Sequence, residues 1–247
     1  MQANYSLFRH ANFYLLLLVT LFFGLYLDSV ELSQKLPWSQ WLANVLVFSV
    51  FVYIYVNVSK KLKKLMLYGL IVAFGGEVLF SLVLAMYTYR LDNLPIYVPF
   101  GHVIIYAVVY YFVKEPLVQK HKDKIVSTLY WSMILYATAW LVFANDLFGF
   151  LCMLVILWVF KRRPNAKLFF LVMFFVIVYL ELIGTYFQCW VWPEIWFNQF
   201  SWVTSANPPS GIAVFYFAFD AGCLWFYKKF NSATWNRYKT VKSLKNS

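Results

Sequence analysis

The chain has 247 residues, 63% of them hydrophobic and 23% aromatic, with only 13% charged and a mean hydropathy of +0.66. Too little polar surface is present for a water-soluble globule, and the composition implies one polytopic membrane domain. The formal charge of +11 would suggest nucleic acid in a soluble protein. Here it reads instead as topology signal and as attraction to anionic headgroups, so nucleic acid is not an expected partner.

Runs of about 20 apolar residues, with shorter ones tolerated by local thinning, predict eight transmembrane helices. They cover residues 12–27, 39–58, 65–86, 94–113, 125–143, 147–160, 168–188 and 211–227. The first run has charged Arg9 before it, but Asp28-Ser29-Val30 offers no small-x-small cleavage site, so it is expected to stay as a span. Only Ala144-Asn145-Asp146 separates the fifth run from the short sixth. Counting charges supports a hairpin there. With eight crossings, Arg9, the lysines of 60–64 and 114–124, the basic cluster of 161–167 and the tail from Lys228 all share one side, and only Lys35 and Arg90 lie opposite. Basic residues in short loops resist translocation, so both termini are expected to be cytoplasmic in a multi-pass protein of the cell membrane. The fold class is therefore an all-α helix bundle, a single domain over 1–227 with a basic cytoplasmic tail over 228–247. Lys, Arg, Trp235 and Tyr238 alternate in that tail, which suits either a segment lying on the inner headgroups or a disordered end.

Aromatic residues mark an outer boundary at Trp38, Trp41, Tyr87, Tyr89, Trp140, Trp190 and Trp192 and an inner one at Tyr110, Tyr111, Trp158 and Tyr227, as membrane anchors do. A weak internal repeat runs through the same positions. Glu77 follows Gly75-Gly76 late in span three, and Pro99-Phe100-Gly101 leads into span four; Glu181 precedes Gly184 late in span seven, and Pro209-Ser210-Gly211 leads into span eight. The glutamates lie 104 residues apart and the Pro-x-Gly steps 110. Four spans per unit is an even number, so units over 12–113 and 125–227 would be parallel copies related by an axis along the membrane normal.

Three acids fall within spans: Glu77, Glu181 and Asp220. An ionised carboxylate at bilayer depth costs roughly 3 kcal/mol or more, so such residues face a cavity or a partner. At 1.5 Å per residue Glu77 and Glu181 lie about 20 and 21 Å from the inner face, and Asp220 and His102 about 14 and 12 Å from the outer face. A common site open to the outer side is therefore expected. With no Lys or Arg in any span, desolvation favours a neutral carboxyl, which can donate a proton as general acid catalysis or proton coupling requires. Each group has a plain structural alternative as well. A buried acid or His102 serves equally as a hydrogen-bond partner in a bundle core, and Arg90 beside Asp92 reads as a surface ion pair capping its loop.

The loop from Trp190 to Ser210 is the longest outer connection and suggests a lid, with Asn207 and Ser210 as donors at the start of span eight. The alternative is that Asn-Pro-Pro-Ser merely starts the helix. Glu77, Glu181, His102 and Asp220 are thus the candidate catalytic residues. Arg90, Tyr89, Trp190, Trp192, Asn207 and Ser210 are the candidate substrate contacts. Cys152, Cys189 and Cys223 have no ligand spacing, only three His are present, and phosphate-loop and Gly-x-Ser-x-Gly patterns are missing, so no metal or cofactor is expected. These features suit an acid–base enzyme acting on an apolar lipid such as an isoprenoid, a carotenoid or a lysolipid. Two alternatives remain open: a small proton- or cation-coupled transporter, and an accessory subunit of a membrane complex.

Overall fold

The computed structural model describes residues 8–197, 199–233 and 235–236. Most of the basic tail, Tyr238 included, lies outside the described residues. In chain order the elements are α1 (Ala11–Leu27), α2 (Val30–Lys35), α3 (Ser39–Asn57), α4 (Lys60–Glu77), β1 (Thr88–Tyr89), α5 (Tyr97–Phe112), α6 (Pro116–Lys120) and α7 (Lys122–Ala144). They continue with α8 (Leu147–Arg162), α9 (Lys167–Tyr186), β2 (Trp190–Val191), β3 (Ile195–Trp196), β4 (Phe200–Thr204) and α10 (Val214–Phe230). Among the described residues the protein is mostly helical, and the eight apolar runs coincide with eight long helices. Four segments are long and apolar enough to cross a membrane: Ser39–Asn57, Lys60–Val83, Lys122–Ala144 and Pro164–Tyr186. Ala11–Leu27 and Tyr97–Phe112 are shorter apolar helices.

Local chemistry sets the ends. Ser29 and Ser59 cap α2 and α4 by accepting the amides of Leu32 and Leu62, Pro116 starts α6, and Asn145 closes α7 in the left-handed region at φ 52°. Such caps satisfy backbone groups that have no partner within the helix. Among the described residues, seven of the eight long helices turn large apolar side chains outward, among them Phe23, Val45, Ile71, Leu135, Phe143, Leu154 and Trp225, while α5 is enclosed and exposes none.

Three features depart from the expected all-α plan. The segment that continues α4 is π-helical over Val78–Val83, a form that accommodates one extra residue in an α-helix. Span eight begins late, because residues 211–213 form turns before α10 starts at Val214. Among the described residues, the connections after α4 and α9 form two small antiparallel ribbons, β1 with β2 and β3 with β4. In the first, Thr88 pairs with Val191 and Tyr89 with Trp190. Ala85 and Gln188, each three residues before the paired position, both take positive φ, at 46° and 56°.

Acids at the helix ends clamp the connections. Asp28, just past α1, accepts from Arg90 Nη2 at 2.7 Å, Tyr97 OH at 2.8 Å and Gln40 Nε2 at 3.1 Å. Asp146, just past α7, accepts the amides of Gly149, Ala206 and Ser210 at 3.1, 3.1 and 2.7 Å. At the other end, Glu115 accepts the amides of Arg9 and His10, His10 Nδ1 and the Tyr14 hydroxyl. Burial alone would push the Glu115 carboxyl up, but these donors outweigh it and hold the group below its ordinary value. Arg90 therefore does not pair with Asp92 at the surface: the buried Asp28 offers a carboxylate and a backbone carbonyl together, and the Arg90 guanidinium takes both.

Candidate functional site

The ribbon of β1 and β2 roofs a cavity of about 230 Å³ between α1, α4, α5, α9 and α10. Side chains alternate across a strand, so Thr88 and Val191 point out and are exposed, while Tyr87, Tyr89, Trp190 and Trp192 share the opposite face and line the cavity. Their polar edges reach two carboxyls. Tyr87 and Tyr89 donate their hydroxyls to Glu77 Oε2 at 2.7 and 2.6 Å. Trp190 and Trp192 donate their indole N–H groups to Glu181 Oε2 at 2.9 and 3.0 Å. Across the ribbon the rings cross over, Tyr87 lying 4.6 Å from Trp192 and Tyr89 6.1 Å from Trp190.

The remaining oxygens differ. Glu77 Oε1 lies 3.3 Å from His102 Nε2, and His102 Nδ1 lies 2.9 Å from the Val98 carbonyl. A carbonyl only accepts, so Nδ1 carries a hydrogen. Nε2 faces Glu77 Oε1 at the distance of one side-chain contact. The ring of His102 stacks on Tyr216 at 4.7 Å with planes 4° apart. Glu181 Oε1, by contrast, accepts from none of the described residues. No Lys or Arg is among the described residues that line the cavity.

Two further contacts fix the roof. The Trp192 amide donates to Asn207 Oδ1 at 3.1 Å. Gly184, one turn past Glu181, leaves the space that the Trp190 ring fills, since a Cβ there would overlap it.

The structure brings Glu77, Glu181, His102, Tyr89, Trp190 and Trp192 to one cavity. It does not bring Asp220 there. Helix α10 turns Asp220 toward Tyr106 OH at 3.1 Å and Arg163 Nη1 at 3.8 Å, so this acid, unlike Glu77 and Glu181, is reached by a cation from beyond the apolar runs. Arg90 is held by Asp28, Asn207 acts only through Trp192, and Ser210 is tied by its amide to Asp146, away from the cavity wall. Trp190 and Trp192 are buried ring donors, whereas Trp38 and Trp41, expected as anchors on the same boundary, are exposed. Tyr87 as a partner of Glu77, Tyr216 under His102 and Thr20 on the cavity wall belong to the site without having been expected from the residue pattern. The alternation Tyr87-x-Tyr89 and Trp190-x-Trp192 was the available signal, a period of two at a helix end. Comparison with protein-family models, with curated proteins and with solved structures finds no match for this chain.

Proposed function

We propose that this protein is an eight-span membrane enzyme that performs acid–base chemistry on an apolar lipid, with the Glu77–His102 pair as proton donor and Glu181 as proton acceptor. The observation that carries the reading is the placement of both glutamates under one aromatic roof, each gripped at Oε2 by two ring donors, with Oε1 left for proton exchange. Neutral donors on one oxygen orient a carboxyl without neutralising it, and a dry, aromatic site strengthens each remaining electrostatic contact. Tyr89, Trp190 and Trp192 position the glutamates and wall the hydrocarbon slot. The cavity is smaller than the roughly 300–1,000 Å³ common for whole ligands, which suits the reactive end of a lipid whose remainder lies outside.

Both termini are cytoplasmic in this reading, and the carboxyls sit in the middle to outer half of the bilayer. Outward-facing apolar side chains on seven of the eight long helices, with α5 enclosed among them, support eight crossings, since extensive exposed apolar surface on a soluble protein would drive association. Two parallel four-helix units are supported by the ribbon. The offset between halves is 104 residues at Glu77 and Glu181 and 103 at Ala85 and Gln188 and at Thr88 and Val191, and the π-helical turn between them takes up the one extra residue. Thr88 pairs with its own counterpart and the ring contacts cross over, the pattern of an isologous two-fold. A reporter fused after Asp146 should be translocated, and a cytoplasmic signal there would overturn the eight-span arrangement.

One observation favours transport as a second reading. His102 on Tyr216 and, one turn further in, Tyr106 on Asp220 form two rungs between α5 and α10, ending at Arg163. A proton or cation path toward the basic side would use those groups. Comparing total lipids of cells with and without the protein separates the two. Catalysis predicts a shifted lipid species that disappears with Glu77→Gln or Glu181→Gln at unchanged expression. An unchanged profile in cells carrying the parent protein favours transport, and variants that shift the lipid as the parent does make both carboxyls structural.

A further inference from the structure

Besides the Tyr216 hydroxyl, two polar side-chain atoms on the cavity wall have no hydrogen-bond partner among the described residues. Thr20 of α1 is 4% exposed, and its Oγ1 is buried without a hydrogen bond. The second is Glu181 Oε1. Helices α1 and α9 pack together and are tied at their outer ends, where the Val30 amide donates to the Phe187 carbonyl and Cys189 Sγ donates to the Leu25 carbonyl, both at 3.2 Å. Glu181 lies six residues inside Phe187 and Thr20 five inside Leu25, so both sit about 8–9 Å below that level by helical rise. They face one cavity at one depth.

Their chemistry selects the head of a ligand. An anionic head finds two carboxyls and no cation on the wall. An ammonium carries donors only; it meets Glu181 but cannot accept from the Thr20 hydroxyl. A hydroxyl does both at once. The wall also opens sideways. Deeper in, α4 and α10 close on each other, with Gly69 against Phe219 and Cys223 and Gly222 against Val72. Further out, Phe80 meets Phe215 at 4.8 Å. Between these contacts the cavity is bordered by Gly76, where a Cβ would meet nothing nearer than Phe80 at 4.0 Å, and by the exposed Ala218.

We propose that the cavity binds the hydroxyl end of an uncharged, single-chain lipid alcohol, its O–H donating to Glu181 Oε1 and its oxygen accepting from Thr20, with the tail leaving between α4 and α10 past Gly76 and Ala218. This deepens the acid–base reading and uses the same cavity, but it is tested by binding without turnover. Purified full-length protein in lipid nanodiscs is titrated with dodecanol, dodecanoic acid, dodecylamine and dodecane, and thermal unfolding is followed. Dodecanol should bind about tenfold or more tighter than the other three. Thr20→Val, nearly the same shape, should weaken dodecanol about three- to tenfold, the worth of one hydrogen bond, while leaving dodecane unchanged, and that control shows the variant is folded. Ala218→Trp should weaken dodecanol more than butanol, whose short tail needs no window. Equal binding of the four probes, tighter binding of the acid or the amine, or a Thr20→Val variant that binds dodecanol as the parent does would overturn the assignment. Should Thr20→Val fail to fold, the probe ranking on the parent protein decides. If dodecanol binds as stated and Glu77→Gln leaves the lipid profile unchanged, the acid–base reading falls and the alcohol site stands.

Discussion

Glu77 and Glu181 under the ribbon, and Asp28, Asp146 and Glu115 at the helix ends, are all buried carboxyls, yet their surroundings differ in kind. The acids at the ends meet donors that belong to the frame: three backbone amides at Asp146, an arginine, a tyrosine and a glutamine at Asp28, two amides and two side chains at Glu115. Such an acid joins distant segments, and nothing is left over for a ligand. The cavity acids concentrate their fixed donors on one oxygen and turn the other toward a histidine or toward open volume. A saturated carboxyl holds the fold, whereas a half-satisfied one over a cavity can exchange a proton. The difference makes opposite demands on mutation, chemistry without stability in one region and stability without chemistry in the other.

The largest effect is expected in the cavity. General acid–base groups contribute about 10²- to 10⁴-fold to rate, and Glu77→Gln or Glu181→Gln should lose that much turnover while the melting temperature hardly moves. His102→Phe sharpens the contrast. It keeps the stack on Tyr216 but removes Nε2, so it should match the Glu77 variant in lipid turnover. A His102→Phe protein that shifts the lipid as the parent does would show that Nε2 has no part in the proposed chemistry. Next in size is Asp28→Ala, which leaves the Arg90 guanidinium, 9% exposed, without its counter-charge. Removing one member of a buried pair costs about 3–5 kcal/mol. Unfolding measurements should show that loss, and turnover per folded molecule should stay near parental. A variant as stable as the parent would dissolve the distinction between the two regions.

These relations were unevenly legible in the amino-acid order. Apolar run length located the long helices within a few residues, and an acid inside such a run is rare enough to draw attention to Glu77 and Glu181. The partners of those acids were harder to see. An indole that anchors in headgroups and an indole that donates to a carboxyl are the same letter, so Trp190 and Trp192 read as a belt until the ribbon turned them inward. Asp28 and Arg90 are 62 residues apart, and nearness in sequence favoured Asp92. Helical rise placed Asp220 at a suitable depth, but depth does not set direction around the axis, and α10 points Asp220 at Tyr106. The π-helical turn had one trace, the drop in offset between the halves from 104 to 103.

Gly184 tests how tightly the cavity acids are positioned. In the interior of α9 an alanine would ordinarily stabilise by about 1 kcal/mol, but here its methyl overlaps the Trp190 ring. Overpacking costs about 1–3 kcal/mol, so Gly184→Ala should come out destabilised by up to about 2 kcal/mol, with Trp190 displaced from Glu181. Turnover should fall with it, because the glutamate loses one of its two donors. A more stable and fully active Gly184→Ala protein would show that the roof has slack and that the ring donors do not set the geometry of Glu181.

Glu115 carries the smallest expected effect, and pH isolates it. Its donors hold the folded-state carboxyl below the ordinary range despite burial, so the unfolded chain binds the proton more readily than the folded one. Stability from this group is therefore complete above the ordinary carboxylate value, about 4.3, and is lost as pH falls from there through the lowered value. Glu115→Gln has no such proton to take up. Melting curves collected from neutral to acidic pH should show the parent more stable at neutral pH and the gap to Glu115→Gln closing below about 4.3. A His10→Asn background removes the ring that touches this carboxyl and should leave the same closing of the gap. A gap that stays constant into acid would mean that the clamp works through the shape of the α5–α6 corner and that its charge is irrelevant.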